Sequence, residues 1–275
     1  MKRSGIALTA LGASTGLYTW RVEPHWLEVV TRPMRVPNLP ADLVGHTLVH
    51  MSDLHIGPWV DDDHVIETFQ RVTALRPDYV VITGDFISYR DPAQFEQLRR
   101  VLEQLPRGRR ATIASLGNHD YGPGWSHPEI ADRVATIASE AGALVLRNQA
   151  TNIGGLQLVG LDDLWAHRFL PGSSLTALDP RTAMIALSHN PDSVDRPDWS
   201  GFNGWILAGH THGGQCKPPF LPPPLLPVVN RRYTSGEFDL TGGRRLYISR
   251  GVGHLLRVRF NVRPEVTMFR LERAA

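Results

Sequence analysis

Two histidines stand one residue apart in Gly209-His210-Thr211-His212, between an apolar run and the glycine pair Gly213-Gly214. Four further stretches share the same grammar, an apolar run followed by a polar residue on a loop flanked by Gly or Pro. They are Asp53-Leu54-His55, Gly84-Asp85, Gly117-Asn118-His119-Asp120 and Ser188-His189-Asn190-Pro191. Carboxylate oxygen and imidazole nitrogen together suit zinc, iron, manganese and similar divalent ions. One catalytic ion usually takes about three protein ligands plus water. Asp53, His55, Asp85, Asn118, His119, His189, His210 and His212 therefore exceed what one ion needs. Two ions about 3.5–4 Å apart, bridged by a carboxylate and a hydroxide, use such a set fully, and that geometry serves phosphoryl chemistry. On extended chain, residues two apart project to the same side. His210 and His212 are thus expected to face a shared centre with Thr211 turned away, and Asp53 and His55 to repeat the arrangement.

The elements that must position these loops alternate along the chain. "HTLVHMSD" is a short apolar strand ending in a polar loop. "DDDHVIETFQRVTALRPD" has Asp at its start for capping, apolar Val65, Ile66, Phe69 and Val72 at helical spacing, and Pro77 after its end. "YVVITGD" is a β-branched run typical of a strand buried on both faces. "PAQFEQLRRVLEQLP" is a second helix, "ATIASLGNHD" a third strand and "PEIADRVATIASEAG" a third helix. This order predicts βαβ units and a largely parallel sheet. Further on, "ALVLRNQATNIGGLQLVGLDD" predicts two short strands around Gly154-Gly155. "AMIALSHNP" and "NGWILAGHTHGG" are further strand-to-loop units, and "YTSGEFDL", "RRLYISRG" and "EVTMFRLE" a closing series of strands. The expected architecture is one α/β domain whose two halves each contribute a sheet. Ligand sites in such folds collect beyond the carboxyl ends of strands, where five loops converge in one crevice.

Composition narrows the function. The 275 residues are 42% hydrophobic and 20% charged, ordinary for a globular chain. The 29 basic and 27 acidic residues nearly cancel to +2 without a long basic run, so no nucleic-acid partner is expected. A single cysteine, Cys216, excludes an intrachain disulfide and reads as a spectator. Lys2 and Arg3 precede an uncharged stretch that ends at Arg21, the pattern of an export signal or an uncleaved anchor. The stretch is about as short as a spanning helix allows, roughly 17–25 residues, and Gly, Ser and Thr dilute it. We expect residues 1–21 to be this signal or anchor and residues 22–275 the catalytic domain. The localisation expected is membrane-associated or exported, with the domain outside the cytoplasm by the positive-inside rule.

Asp53-x-His55, Gly84-Asp85, Gly117-Asn118-His119-Asp120, His189 and Gly209-His210-Thr211-His212 resemble, in order and flanking text, the calcineurin-like metallophosphoesterase superfamily. The likeness runs from about residue 46 to the end. It is nearest to a bacterial membrane-associated or exported subgroup, which includes phosphodiesterases and UDP-2,3-diacylglucosamine pyrophosphohydrolases of lipid A synthesis. The resemblance implies a four-layer ββ sandwich flanked by helices, with a metal site at the carboxyl ends of the strands. It implies two divalent cofactor ions (manganese, zinc or iron), with Asp53, His55 and His212 on the first, Asn118, His189 and His210 on the second, and Asp85 bridging. His119 is then the proton donor to the departing alkoxide rather than a ligand. The reaction implied is hydrolysis of a phosphodiester or pyrophosphate by attack of a metal-bridging hydroxide.

Each loop has a plainer reading alone, since a single His or Asp at a strand end is usually a cap or turn residue. All five in order are what carry the inference. Two softer features bear on substrate. The proline-rich loop 217–229, "KPPFLPPPLLPVV", follows the Gly-His-Thr-His loop directly and is apolar and stiff, so it serves as a wall for an acyl chain, a membrane contact or ordinary packing. Arg250 is a candidate for substrate phosphate, since its fork matches phosphate oxygens. The expected partners are a phosphoester substrate, lipid-linked or from the envelope, and a membrane surface. The lipid A step is an alternative, disfavoured by a domain outside the cytoplasm. A non-catalytic scaffold is the rival of another class, disfavoured because no ligand is missing.

Overall fold

The computed structural model describes residues 12–199 and 201–274. Residues 1–11, half of the expected leader, lie outside the described residues. Residues 12–17 are helical and run into a π-helical turn, Tyr18–Val22. That turn is held to the rest of the chain, since Thr19 O accepts from Arg259 N at 2.9 Å and buried Glu23 accepts from Val262 N at 2.6 Å. Among the described residues, no helix is long and apolar enough to cross a membrane.

Two six-stranded sheets face each other. In chain order the strands are β1 (Glu28–Val36), β2 (Thr47–Met51), β3 (Tyr79–Thr83), β4 (Ala111–Ser115), β5 (Leu144–Val145), β6 (Gln149–Ile153), β7 (Leu156–Gly160), β8 (Ala183–Leu187), β9 (Trp205–Ala208), β10 (Gly236–Asp239), β11 (Arg245–Ile248) and β12 (Glu265–Arg273). The first sheet has the order β1-β12-β2-β3-β4-β5, the second β10-β11-β9-β8-β7-β6. β2, β3, β4 and β5 run parallel, as do β7, β8, β9 and β11. β3 and β8 are buried at every residue, which their continuous apolar sequences require. The expected hairpin around Gly154-Gly155 is β6–β7, antiparallel, and it is preceded by the extra strand β5.

The expectation that each half of the chain supplies one sheet is corrected by β12. This last strand returns to the first sheet and lies between β1, to which it is parallel, and β2, to which it is antiparallel. Val266 enters the core under the helices and Phe269 and Leu271 the core between the sheets, so β12 is covered on both faces, as an interior strand is. β1 takes the sheet margin, where Pro33 lacks no ladder partner.

Helices α1 (Asp62–Ala74), α2 (Ala93–Leu102) and α3 (Pro128–Glu140) cover the outer face of the first sheet. Val65, Phe69 and Val72 of α1 form its inward stripe and share a core with Val80, Ile82 and Ala114. Asp61 makes no side-chain cap to α1 as the sequence suggested; its carboxylate pairs with Arg257 and His25 instead. Between the sheets, Leu48, Val81 and Ile113 meet Leu158, Ile185 and Leu207. The outer face of the second sheet is covered differently. Trp199, Phe202 and Tyr233 from irregular chain pack on Val159, Ala186 and Ile206, and regular helix is limited to the short α4 (Gly172–Thr176) and the 3-10 turn Pro191–Asp195. Among the described residues, long helices flank the first sheet and not the second.

Candidate functional site

The loops that follow β2, β3, β4, β8 and β9 close on one another at one end of the sandwich. Asp53 N donates to Gly84 O and His55 N to Asp85 O, while Gly209 N donates to His189 O. The two sheets are joined through Asp53, whose Oδ1 accepts from His210 N at 3.0 Å. Two glycines permit this approach. A Cβ on Gly209 would lie 1.9 Å from Ser52 Oγ and 2.3 Å from Asp53 Oδ2, and one on Gly117 would lie 2.3 Å from Asp85 Oδ1.

The side chains are aimed by left-handed backbone. Asp53, His55, Asp85, His210 and His212 have φ of 55°, 49°, 54°, 70° and 50°, a region that costs a non-glycine residue about 1 kcal/mol or more. This replaces the alternating geometry expected from extended chain. His210 and His212 fall into different groups, as the family resemblance implied and contrary to the shared centre expected from extended spacing. Asp53, His55 and His212 form one buried group of potential ligand atoms, and Asp85, His189 and His210 another, the atoms of each lying within 4.8 Å of one another.

In the first group the Nε2 atoms of His55 and His212 are 3.0 Å apart, and Asp53 Oδ1 is 3.3 Å from His212 Nε2. In the second, His189 Nε2 is 3.1 Å from Asp85 Oδ2 and 3.2 Å from His210 Nδ1. Asp85 Oδ2 also lies 3.5 Å from His55 Nε2, so it stands between the groups. Asp85 Oδ1 accepts from His119 N at 2.9 Å, which ties the Asn118-His119 loop to the same carboxylate. Asn118 is fully buried, and neither its side-chain oxygen nor its nitrogen has a hydrogen-bond partner.

This chemistry fits divalent ions. Thr83 O, 2.7 Å from His189 Nδ1, requires a proton on that nitrogen. The Nε2 lone pair of His189 then faces the Asp85 carboxylate, an arrangement that calls for a cation between them. Ser88 Oγ, 3.0 Å from Nδ1 of His55, orients that ring in the same manner. The electrostatics carry the same demand. Burial opposes ionisation of Asp85, yet His189, His119 and His55 hold it well below the usual carboxylate range. Burial alone would depress His189, but Asp85 holds it well above the ordinary imidazole range. Burial pushes His210 down to about 3 and Asp53 up to about 6. An ion replaces the proton that this cluster otherwise retains.

Several residues near the site were not anticipated in these roles. Asp120 binds backbone and not an ion or a ring. Its two oxygens accept from the amides of Asp85, Phe86, Ile87 and Gly117, which staples the loop after β3 to the loop after β4. Trp165 stands edge-on to His210 at 4.3 Å between ring centroids, stacks obliquely on Trp125 at 4.8 Å, and Trp125 reaches toward His119 at 6.4 Å. The two indoles form an aromatic ledge along one flank. Asp163 is buried with Oδ2 unpartnered, and burial pushes it up to about 6. The signal for this region was present, since β7 is followed after Leu161 by Asp162-Asp163, the same strand-to-polar-loop grammar.

Other expectations resolve locally. Arg250, expected at substrate phosphate, forks onto Glu265 and Glu28, so its charge is already matched. His50 lies in β2 and bonds Thr83 Oγ1 at 2.8 Å. His64 and His254 are buried, His127 is half-buried and His167 exposed. Cys216 is a free, half-buried thiol.

Residues 46–214 match the family model of the calcineurin-like phosphoesterases. The phosphodiesterase YaeI of Escherichia coli is 33% identical, over 95% of this chain and 94% of its own length. The UDP-2,3-diacylglucosamine pyrophosphatase LpxG of Chlamydia muridarum is 28% identical, over 97% of each chain. Among solved structures, a dimetal phosphatase from Danio rerio aligns over 76% of this chain and 88% of its own, with 12% identity and a TM-score of 0.46.

Proposed function

The chain belongs to the calcineurin-like phosphoesterase family, and from that premise we propose that it is a phosphodiesterase acting on a lipid-linked phosphodiester or pyrophosphate. Membership makes it a metal-dependent hydrolase of phosphoesters. The two-ion reading of the site rests on one observation above others, the placement of Asp85 Oδ2 between the two histidine groups, 3.5 Å from His55 Nε2 and 3.1 Å from His189 Nε2.

In this reading Asp53, His55 and His212 would hold one divalent ion, Asn118, His189 and His210 the other, and Asp85 would serve both. Two such ions would polarise phosphate oxygens and supply a nucleophilic water at neutral pH. The chain does the rest. Asp53 and Asp85 bring negative charge that matches the cations. Thr83 O and Ser88 Oγ fix the rings of His189 and His55, and Asp120 holds the loops that carry Asp85 and Asn118 in register. His119, its ring centroid 5.0 Å from that of His55, donates its proton to the departing oxygen as the P–O bond breaks.

The lipid linkage is supported by apolar surface beside the site. Phe220, Leu221, Leu225 and Val229 of the proline-rich loop and Leu256 nearby are all exposed. Such clustered apolar exposure marks an interaction surface. Trp20 and Trp26, with Arg21 and Arg263 over their rings, add the aromatic and basic pairing found at membrane interfaces. We place the enzyme at a membrane surface on this ground. A second reading, UDP-2,3-diacylglucosamine as substrate, takes support from the ledge of Trp125 and Trp165, which offers a stacking face to a pyrimidine.

Hydrolysis of bis(p-nitrophenyl) phosphate with added manganese tests the core of the reading. Turnover is expected, and Asp85→Asn is expected to lower it by more than the roughly 10–100-fold typical of residues that only orient ligands. Equal turnover by the variant contradicts the reading.

A further inference from the structure

Directly beside His212 lies an apolar groove of about 560 Å³. Its floor is Gly214-Gln215-Cys216, the continuation of the loop that carries His210 and His212. One wall is Pro224 to Pro227 of the proline-rich loop, and the other is formed by Leu255, Leu256 and Val258. The inner end reaches Thr211 and His212. Among the described residues, no Asp, Glu, Lys or Arg lines it, so they offer little to a charged polymer or a second phosphate.

The groove is preformed. Gln215 Nε2 donates to Leu256 O at 3.0 Å and to Val258 O at 2.9 Å, which fixes one wall to the floor. Lys217 N donates to Phe260 O, which fixes it again. Gly214 fixes the other wall. It has φ 80°, and a Cβ there would lie 2.2 Å from Pro223 Cβ, so the loop packs on bare backbone. Pro223, Pro224 and Pro227 limit the freedom of that wall further. A stiff groove of this size lies in the range of small-molecule sites, and a ligand entering it loses little protein entropy.

We propose that this groove holds an acyl or alkyl chain of the substrate while its phosphate lies at the Asp85 cluster. The inference rests on the phosphodiesterase reading and deepens it, because it assigns the substrate's apolar part to a place. Continuity decides the occupant. A phosphate against His212 sends whatever is esterified to it along the nearest open channel, and that channel is apolar from His212 outward. The exposed Leu225 and Leu256, 77% and 65% accessible, stand at its rim, where a chain drawn from a bilayer enters.

The test is a series of p-nitrophenyl alkyl phosphates from ethyl to tetradecyl, each kept monomeric and free of vesicles, with the metal-loaded full chain. For the wild type, kcat/KM is expected to rise about two- to four-fold per added methylene until the groove is filled. Leu256→Asp and Val258→Asp, both on exposed positions, are expected to flatten that rise, read as the long-chain to short-chain ratio. A flat series with turnover present overturns the proposal. So does an unchanged ratio in both variants, or a rise that appears only when vesicles are added, which would mean bilayer adsorption alone. Absence of turnover on every member, the ethyl ester included, refutes the phosphodiesterase reading instead. The groove is then judged by a fluorescent fatty-acyl probe. One-to-one binding weakened by Val258→Asp supports it, and no binding overturns it.

Discussion

The Nε2 atoms of His55 and His212 lie 3.0 Å apart although 157 positions separate the residues in the chain. Neither nitrogen gains much from the other as a hydrogen-bond partner, since their rings lie nearly parallel, 23° apart. With Asp53 Oδ1 they form a buried three-ligand group that would hold a divalent ion. Replacing one corner therefore removes one ion while the second group keeps its own. His212→Ala is expected to bind about one divalent ion per chain where the wild type binds about two. Isothermal titration with manganese reads this, and a variant that still binds two shows that His212 is no ligand.

His119 is assigned the proton that the leaving oxygen needs. The assignment predicts a dependence on the leaving group. His119→Ala should lose roughly 10²–10⁴-fold in kcat on an alkyl ester. On a p-nitrophenyl ester, whose anion departs unprotonated, the loss should be much smaller. Equal losses on both would place His119 at the phosphate rather than at the leaving oxygen.

Asp120 satisfies four backbone amides from two loops. Asp120→Ala leaves these donors buried without a partner, at about 1–3 kcal/mol for each that water cannot reach. A loss of about 3–5 kcal/mol in stability is expected, together with reduced turnover as Asp85 and Asn118 drift. Thermal melting followed by a manganese-dependent assay checks both. Wild-type melting with reduced turnover would make Asp120 a catalytic group instead of a staple.

Acid should destabilise the metal-free protein through histidines away from the ion sites. Burial pushes His64 and His254 down to about 4 and His50 to about 3, from the usual 6.5. The unfolded chain then binds more protons than the folded one between about pH 4 and pH 6.5, so this part of the stability is present above 6.5 and lost on acidification. Asp53 and Asp163, raised to about 6 by burial, act in the opposite sense. A difference between variants isolates the histidine part. Urea unfolding of His254→Gln at pH 7.5 and pH 5 should show a shallower decline than the wild type, and an equal decline refutes the assignment.

Much of the fold was legible because its signals are local. β3 and β8 announce themselves as apolar runs, and α1, α2 and α3 as stripes between prolines and polar ends. Asp53, Asp85, His189 and the Gly-His-Thr-His loop share one grammar, so their convergence could be expected from topology. What sequence could not give was set by distant pairing. β12 has the pattern of any closing strand, and its place between β1 and β2 is a long-range pairing that no local signal records. Arg250 was read without Glu28, 222 positions away, which takes its charge. The sorting of His210 and His212 into separate groups came from the family resemblance and not from their spacing, which on extended chain aims both rings one way; the left-handed φ values that replace that geometry are not encoded in spacing. Trp165 was missed for a different reason, since an indole carries no metal-ligand chemistry and draws notice only once it lies against His210.

The central claim is that Asp85 stands between two cation sites. Anomalous diffraction from crystals grown with manganese tests it most directly. The account predicts two peaks about 3.5–4 Å apart, one among Asp53, His55 and His212, the other among Asn118, His189 and His210, with the Asp85 carboxylate touching both. A single peak, or two peaks with Asp85 turned away from either, would contradict it.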